Sequence, residues 1–183
     1  MKLTVPNLLS LLRMGLVPLF IIALVDGDSK KGLLIFVVAG VTDALDGFIA
    51  RFWNQQSLLG AYLDPIADKL LLTSAYVVLS IPQLNPGTQI PLWVTILVIS
   101  RDVLLVTAAL LFYLAAGIRN FPPSLLSKIT TVTQVAAVML VLLSGTFPEA
   151  RPLDVAADTT IYLVAGLTLA SGLHYVARAH KLK

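Results

Sequence analysis

Polar stretches interrupt an otherwise apolar chain at five places: DGDSKKG at 26–32, FWNQQS at 52–57, PQLNPGTQ at 82–89, GIRNFPPS at 117–124 and FPEARPLD at 147–154. Each carries the glycine, proline or polar residues that mark a chain reversal. The apolar runs between them fall near 6–25, 32–53, 58–82, 90–116, 125–146 and 156–177. Each is about 20 residues or longer, enough for a helix to cross a hydrocarbon core about 30 Å thick. The pattern predicts an all-α integral membrane protein: one domain over residues 1–183, built as a bundle of six transmembrane helices with no repeat or low-complexity linker. The first run follows a single Lys2 and lacks a small-residue cleavage site ahead of a polar segment, so it reads as a retained helix.

Composition supports the same solvent. Hydrophobic residues make up 57% and charged residues 13%, against about 25% charged in soluble domains. Mean hydropathy is +0.89. Cysteine is absent, which excludes disulfides and thiolate metal sites. The net charge of +3 comes from scattered basic residues without an interleaved aromatic stripe, a pattern that points to anionic lipid as a partner and away from nucleic acid. With six spans, Lys2, Arg51, Arg119, Lys128, Arg178, Lys181 and Lys183 share one side. The other side mixes Lys30, Lys31 and Arg151 with Asp26, Asp28, Glu149, Asp154 and Asp158. The positive-inside rule then places both termini in the cytoplasm, and with them the end of the second helix and the start of the third.

Four aspartates lie next to that junction: Asp43 and Asp46 in VTDALDGFIAR, Asp64 and Asp68 in GAYLDPIADKL. A carboxylate in hydrocarbon is costly, so four together imply a cation and a purpose. Spacings of three and four put each pair on one helix face, and the spacing predicts a shared divalent-metal site near the cytoplasmic side. Gly47, Ala50 and Gly60 are small enough for close helix approach and for a ligand to reach backbone. Arg51 suits bidentate capture of phosphate, or snorkels at the interface. Pro65 either bends the helix after Asp64 or occupies a first turn.

Taken together, Asp43-Ala-Leu-Asp46-Gly47-Phe-Ile-Ala50-Arg51, a gap of eight residues, then Gly60-Ala-Tyr-Leu-Asp64-Pro-Ile-Ala-Asp68 resembles the signature of the CDP-alcohol phosphotransferases at every fixed position. The resemblance implies a transferase that joins an alcohol to a CDP-linked lipid and releases CMP. By position it implies that Asp43, Asp46, Asp64 and Asp68 hold one or two Mg²⁺ or Mn²⁺ ions, that Asp68 is also the general base, and that Gly47, Ala50, Arg51 and Gly60 line the site for CDP-diacylglycerol. Residence in a bacterial or mitochondrial inner membrane and a homodimer are compatible with it. Such chemistry suits metal and carboxylates, because phosphoryl transfer needs charge neutralisation and alignment more than a protein nucleophile.

For the acceptor, PNLLSLLR at 6–13, ISRD at 99–102 and LLSKITTVTQ at 125–134 look most similar to the eukaryotic-type, CMP-forming cardiolipin synthases. Phosphatidylglycerophosphate synthases are the rival. They carry further positive charge where this chain reads VTAALL and Lys128-Ile-Thr130, so a lipid acceptor such as phosphatidylglycerol fits better than dianionic glycerol 3-phosphate. Arg101, Lys128 and Arg13 are the candidate acceptor-phosphate contacts. Against these roles stand Arg101 pairing with Asp102 or with the metal cluster, Arg13 snorkelling, and Lys128 as an ordinary positive-inside lysine. Lys69 would neutralise the cluster, and His174 reads as a packed or interfacial residue. A membrane cation transporter also holds intramembrane aspartates but has no need of Gly47, Ala50, Arg51 and Gly60 at these spacings.

Overall fold

The computed structural model describes the backbone at residues 5–52, 58–84, 88–116 and 125–180, and side chains at 7–45, 64–84, 88–107 and 125–175. It contains six helices: α1 (Val5–Val25), α2 (Ser29–Phe52), α3 (Leu58–Leu79), α4 (Leu92–Ala116), α5 (Leu125–Thr146) and α6 (Arg151–His180). These match the six apolar runs closely. The largest difference is at α6, which begins at Arg151 because Pro152 is tolerated in a first turn, where its missing N–H costs no helical bond. Pro65 lies inside α3 and not in its first turn. Among the described residues, Asn7–Val25, Leu125–Thr146 and Arg151–Tyr175 are long and apolar enough to cross a membrane. The parts of α2, α3 and α4 with described side chains are shorter than the about 20 residues of a span.

Apolar residues sit on both the inside and the outside. A core of Phe20, Leu24, Phe36, Tyr76, Val94 and Val138, among others, joins all the helices, with α6 contributing Ile161 and Val164. Leu34, Val106, Leu125, Val132, Val155 and Leu173 are each more than half exposed. Exposed side chains of that size on successive helices suit a hydrocarbon surround and not water.

The α1–α2 turn is built from local rules. Gly27 has φ +75°, its N–H bonds the Leu24 carbonyl at 3.0 Å, and the Asp28 N–H bonds the Ala23 carbonyl at 2.9 Å. These two bonds make a Schellman cap on α1. Asp28 then caps α2, its Oδ1 accepting the Lys31 N–H at 3.0 Å. A Cβ at Gly32 would lie 2.6 Å from Leu24 Cδ2, so the two helices touch closely just beyond the turn. Gly27→Ala is expected to cost about 1 kcal/mol, because a side chain is strained at positive φ. A lowered Tm in detergent checks this, and an unchanged Tm would mean that the turn relaxes.

α1 packs against both α2 and α3, while α2 and α3 make no comparable contact with each other among the described residues. The close approach of α2 and α3 expected through Gly47, Ala50 and Gly60 falls on residues whose side chains lie outside the described ones. At Asp43 and Asp68 the charged side chain of α1 described below bridges the two helices. At the end of the bundle holding the α1–α2 turn, Thr88 Oγ1, Ser144 Oγ and Asp154 Oδ1 close a three-membered knot, with distances of 2.7, 2.9 and 2.5 Å. It ties the segment before α4 to α5 and α6.

Candidate active site

The first helix supplies a polar stripe. Asn7, Ser10 and Arg13 are spaced by three and are 2%, 0% and 1% exposed, so one face of α1 turns inward. A buried guanidinium needs anionic partners, and Arg13 has them on two helices. Its Nη1 pairs with Asp43 Oδ1 of α2 at 2.9 Å and with Asp68 Oδ1 of α3. Ser10, one turn earlier, donates to Asp64 Oδ1. Arg13 is therefore not a snorkelling residue. It is the internal counter-ion of two carboxylates that are themselves about half exposed, at 48% and 47%.

A second charged chain begins beside Asp68. Lys69 Nζ meets Asp102 Oδ2 at 2.5 Å, and Asp102 Oδ1 accepts from Arg101 Nη1 at 2.9 Å. Arg101 Nη2 donates to Ser127 Oγ of α5 at 2.5 Å and to Ser171 Oγ of α6 at 2.8 Å. Arg101 is 6% exposed. Its two Nη atoms reach partners on three helices, as expected for an arginine joining a bundle, while its buried Nε has no hydrogen-bond partner among the described residues. Lys128 is exposed on the first turn of α5, and His174 is exposed on α6.

The charges face a cleft. A cavity of about 470 Å³ is lined at one end by Arg13, Asp43, Asp68 and Lys69. From there it runs between α2, α3 and α5 along Val37, Val41, Leu72, Val135 and Met139. Thr131 to Met139 cover about 12 Å of helix at 1.5 Å per residue. One end is ionic and the rest hydrocarbon, the profile of a site for an amphiphile.

Asp43 and Asp68, from different helices, converge on one cationic point, with Asp64 one helical turn from Asp68. Hard oxygen donors already gathered around positive charge suit a hard divalent cation. Among the described residues no three acidic or histidine side chains come close enough to share an ion; Asp64 accepts from Ser10. The side chains of Asp46, Gly47, Ala50, Arg51 and Gly60 lie outside the described residues.

Ser10 and the Lys69–Asp102 pair were not anticipated as parts of the site. The i, i+3, i+6 spacing of Asn7, Ser10 and Arg13 among leucines carries the signal for the first. No local spacing carries the second, since its partners lie 33 residues apart.

Comparison with known proteins fits this site. The family model for CDP-alcohol phosphatidyltransferase matches residues 3–170, and the chain belongs to that family. It is 38% identical over 160 residues to the CMP-forming cardiolipin synthase of Homo sapiens, covering 79% of this chain and 52% of the relative. The chain thus spans about half the length of the human protein and of its rat counterpart. It is 37% identical over 179 residues to a probable phosphatidylglycerophosphate synthase of Mycobacterium tuberculosis, covering 94% of this chain and 80% of the relative. A CDP-diacylglycerol–glycerol-3-phosphate 3-phosphatidyltransferase of Rickettsia felis is 31% identical over 187 residues, covering 96% and 95%.

Proposed function

We propose that the protein is an integral membrane enzyme of six spans that transfers a phosphatidyl group from CDP-diacylglycerol to the free hydroxyl of phosphatidylglycerol, giving cardiolipin and CMP. The observation that carries this reading is the convergence of Asp43 and Asp68 at the ionic end of a cavity whose remaining walls are hydrocarbon. The acceptor oxygen forms a bond to the phosphatidyl phosphorus, the bond from that phosphorus to the CMP oxygen breaks, and CMP leaves with the electron pair. Asp43, Asp46, Asp64 and Asp68 would hold one or two Mg²⁺ or Mn²⁺ ions, which when bound neutralise the diphosphate and polarise its oxygens. Asp68, half exposed at the cavity, takes the proton of the acceptor hydroxyl. Gly47, Ala50, Arg51 and Gly60 are the proposed contacts of the cytidine diphosphate. Hydrocarbon walls exclude water, which otherwise competes with the acceptor.

Phosphatidylglycerophosphate synthesis from glycerol 3-phosphate is the second reading, favoured by the relatives of that name that match nearly the whole chain. VTAALL at 106–111, uncharged throughout, and Lys128-Ile-Thr130 weigh against a dianionic acceptor. Purified protein given radiolabelled CDP-diacylglycerol with phosphatidylglycerol, glycerol 3-phosphate, inositol or serine is expected to release CMP and form cardiolipin with the first. Formation of phosphatidylglycerophosphate without cardiolipin would replace the acceptor and leave the transfer chemistry standing. No CMP release with any acceptor would remove both readings.

A further inference from the structure

We propose that Lys69 receives the phosphodiester of an anionic phospholipid whose acyl chain lies in the cavity between α2, α3 and α5, and that Asp102 is the latch holding Lys69 when that lipid is absent. This deepens the lipid-acceptor reading above and rests on it. Among the described residues three buried or half-buried cations stand near the site, and their surroundings separate them. Arg101 is 6% exposed, does not line the cavity, and has both Nη atoms engaged by Asp102, Ser127 and Ser171. Arg13 is 1% exposed and neutralises Asp43 and Asp68. Lys69 lines the cavity, and its side chain is 42% exposed.

Lys69 is also the cation whose release leaves no carboxylate stranded. Asp102 is held from two sides, by Lys69 Nζ at 2.5 Å and by Arg101 Nη1 at 2.9 Å. When Lys69 turns to a phosphate, Asp102 keeps Arg101, so the large penalty for an unpaired buried charge does not arise. A flexible four-carbon stem suits this exchange of partners, which a guanidinium held by three groups does not permit. The exchange supplies one positive charge, which matches a phosphodiester. A phosphate monoester brings a second negative charge into a low-dielectric cleft whose other lining cation, among the described residues, is committed to Asp43 and Asp68. The hydrocarbon wall from Val41 to Met139 places an acyl chain beside that phosphate.

The test is equilibrium binding to the detergent-purified full chain by native mass spectrometry, without divalent cations, using phosphatidylglycerol, phosphatidylcholine, glycerol 3-phosphate and CDP-diacylglycerol. Lys69→Met is expected to weaken phosphatidylglycerol binding about tenfold or more while leaving phosphatidylcholine and CDP-diacylglycerol unchanged. Lys69→Arg keeps the charge and should retain most of the affinity. An unaltered CDP-diacylglycerol affinity in the Met variant also shows that it is folded. Wild-type affinity for phosphatidylglycerol in Lys69→Met overturns the proposal, as does an equal loss for CDP-diacylglycerol, or a loss confined to glycerol 3-phosphate. Cardiolipin formation by the wild type is scored separately. Cardiolipin synthesis with a neutral Lys69→Met result rejects the contact alone, whereas selective lipid binding without cardiolipin synthesis rejects the acceptor reading alone.

Discussion

Asp43→Asn and Asp64→Asn are each expected to lower CMP release by on the order of 10³-fold or more, since each removes a carboxylate proposed to hold the cation that neutralises the reacting diphosphate. That corresponds to about 4 kcal/mol of transition-state stabilisation. Asparagine keeps the shape and one oxygen, so the loss reports charge and not a cavity. Chelation should abolish turnover, and Mg²⁺ or Mn²⁺ should restore it in the wild type but not in these variants. Asp68→Asn should also lose rate, but retain CDP-diacylglycerol binding better than the other two if Asp68 acts on the acceptor proton. Full activity in excess chelator would remove the metal from the proposal. Equal loss of CDP-lipid affinity in all three variants would make Asp68 a plain ligand.

Arg13→Met should have the largest effect on stability at the site. The side chain is 1% exposed and joins Asp43 to Asp68, so its removal leaves two neighbouring carboxylates repelling each other without a counter-ion. Losing one partner of a buried ion pair costs about 3–5 kcal/mol. Here the carboxylates are about half exposed, so water screens them and a loss of about 1–2 kcal/mol is expected. A divalent cation should restore part of it, because it supplies the missing positive charge between the same oxygens. Thermal unfolding in detergent, with chelator and then with excess Mg²⁺, reads this out. A Tm deficit that is the same in both would mean that packing, and not charge, is what Arg13 contributes.

The helices were legible because hydrocarbon length and turn residues act locally, and every predicted run contains a helix. The nearness of Asp43 and Asp68 was legible for a related reason, since a carboxylate in an apolar run is an anomaly that spacing alone reveals. What stayed hidden was the choice of partner. Arg13 read as either a snorkelling residue or a phosphate contact, yet it neutralises two aspartates; the Arg101–Asp102 pair was one of the readings open for Arg101, but its further partners Ser127 and Ser171 were not visible. That choice depends on which helices are neighbours. α1 lies against both α2 and α3, and nothing in the local sequence of α2 or α3 reports it. Lys69 was legible as a neutraliser of charge, but its partner proved to be on α4, and its place in the lining of a cleft depends on how α2, α3 and α5 come together.

The Gly27 turn sets more than a change of direction. Arg13 and Asp43 stand 14 and 16 residues from Gly27 on the two arms that it joins, so the arms behave like the prongs of a tuning fork cut to nearly equal length. Each inserted residue advances a helix by about 1.5 Å and rotates it by about 100°. One residue added between Gly32 and Asp43 would swing the carboxylate by about 100° around α2 and away from Arg13, with the turn itself untouched. The placing of charge at one end of the bundle is therefore phased by a count of residues that starts at the other end. Length changes in this arm should be far less tolerated than most substitutions along it.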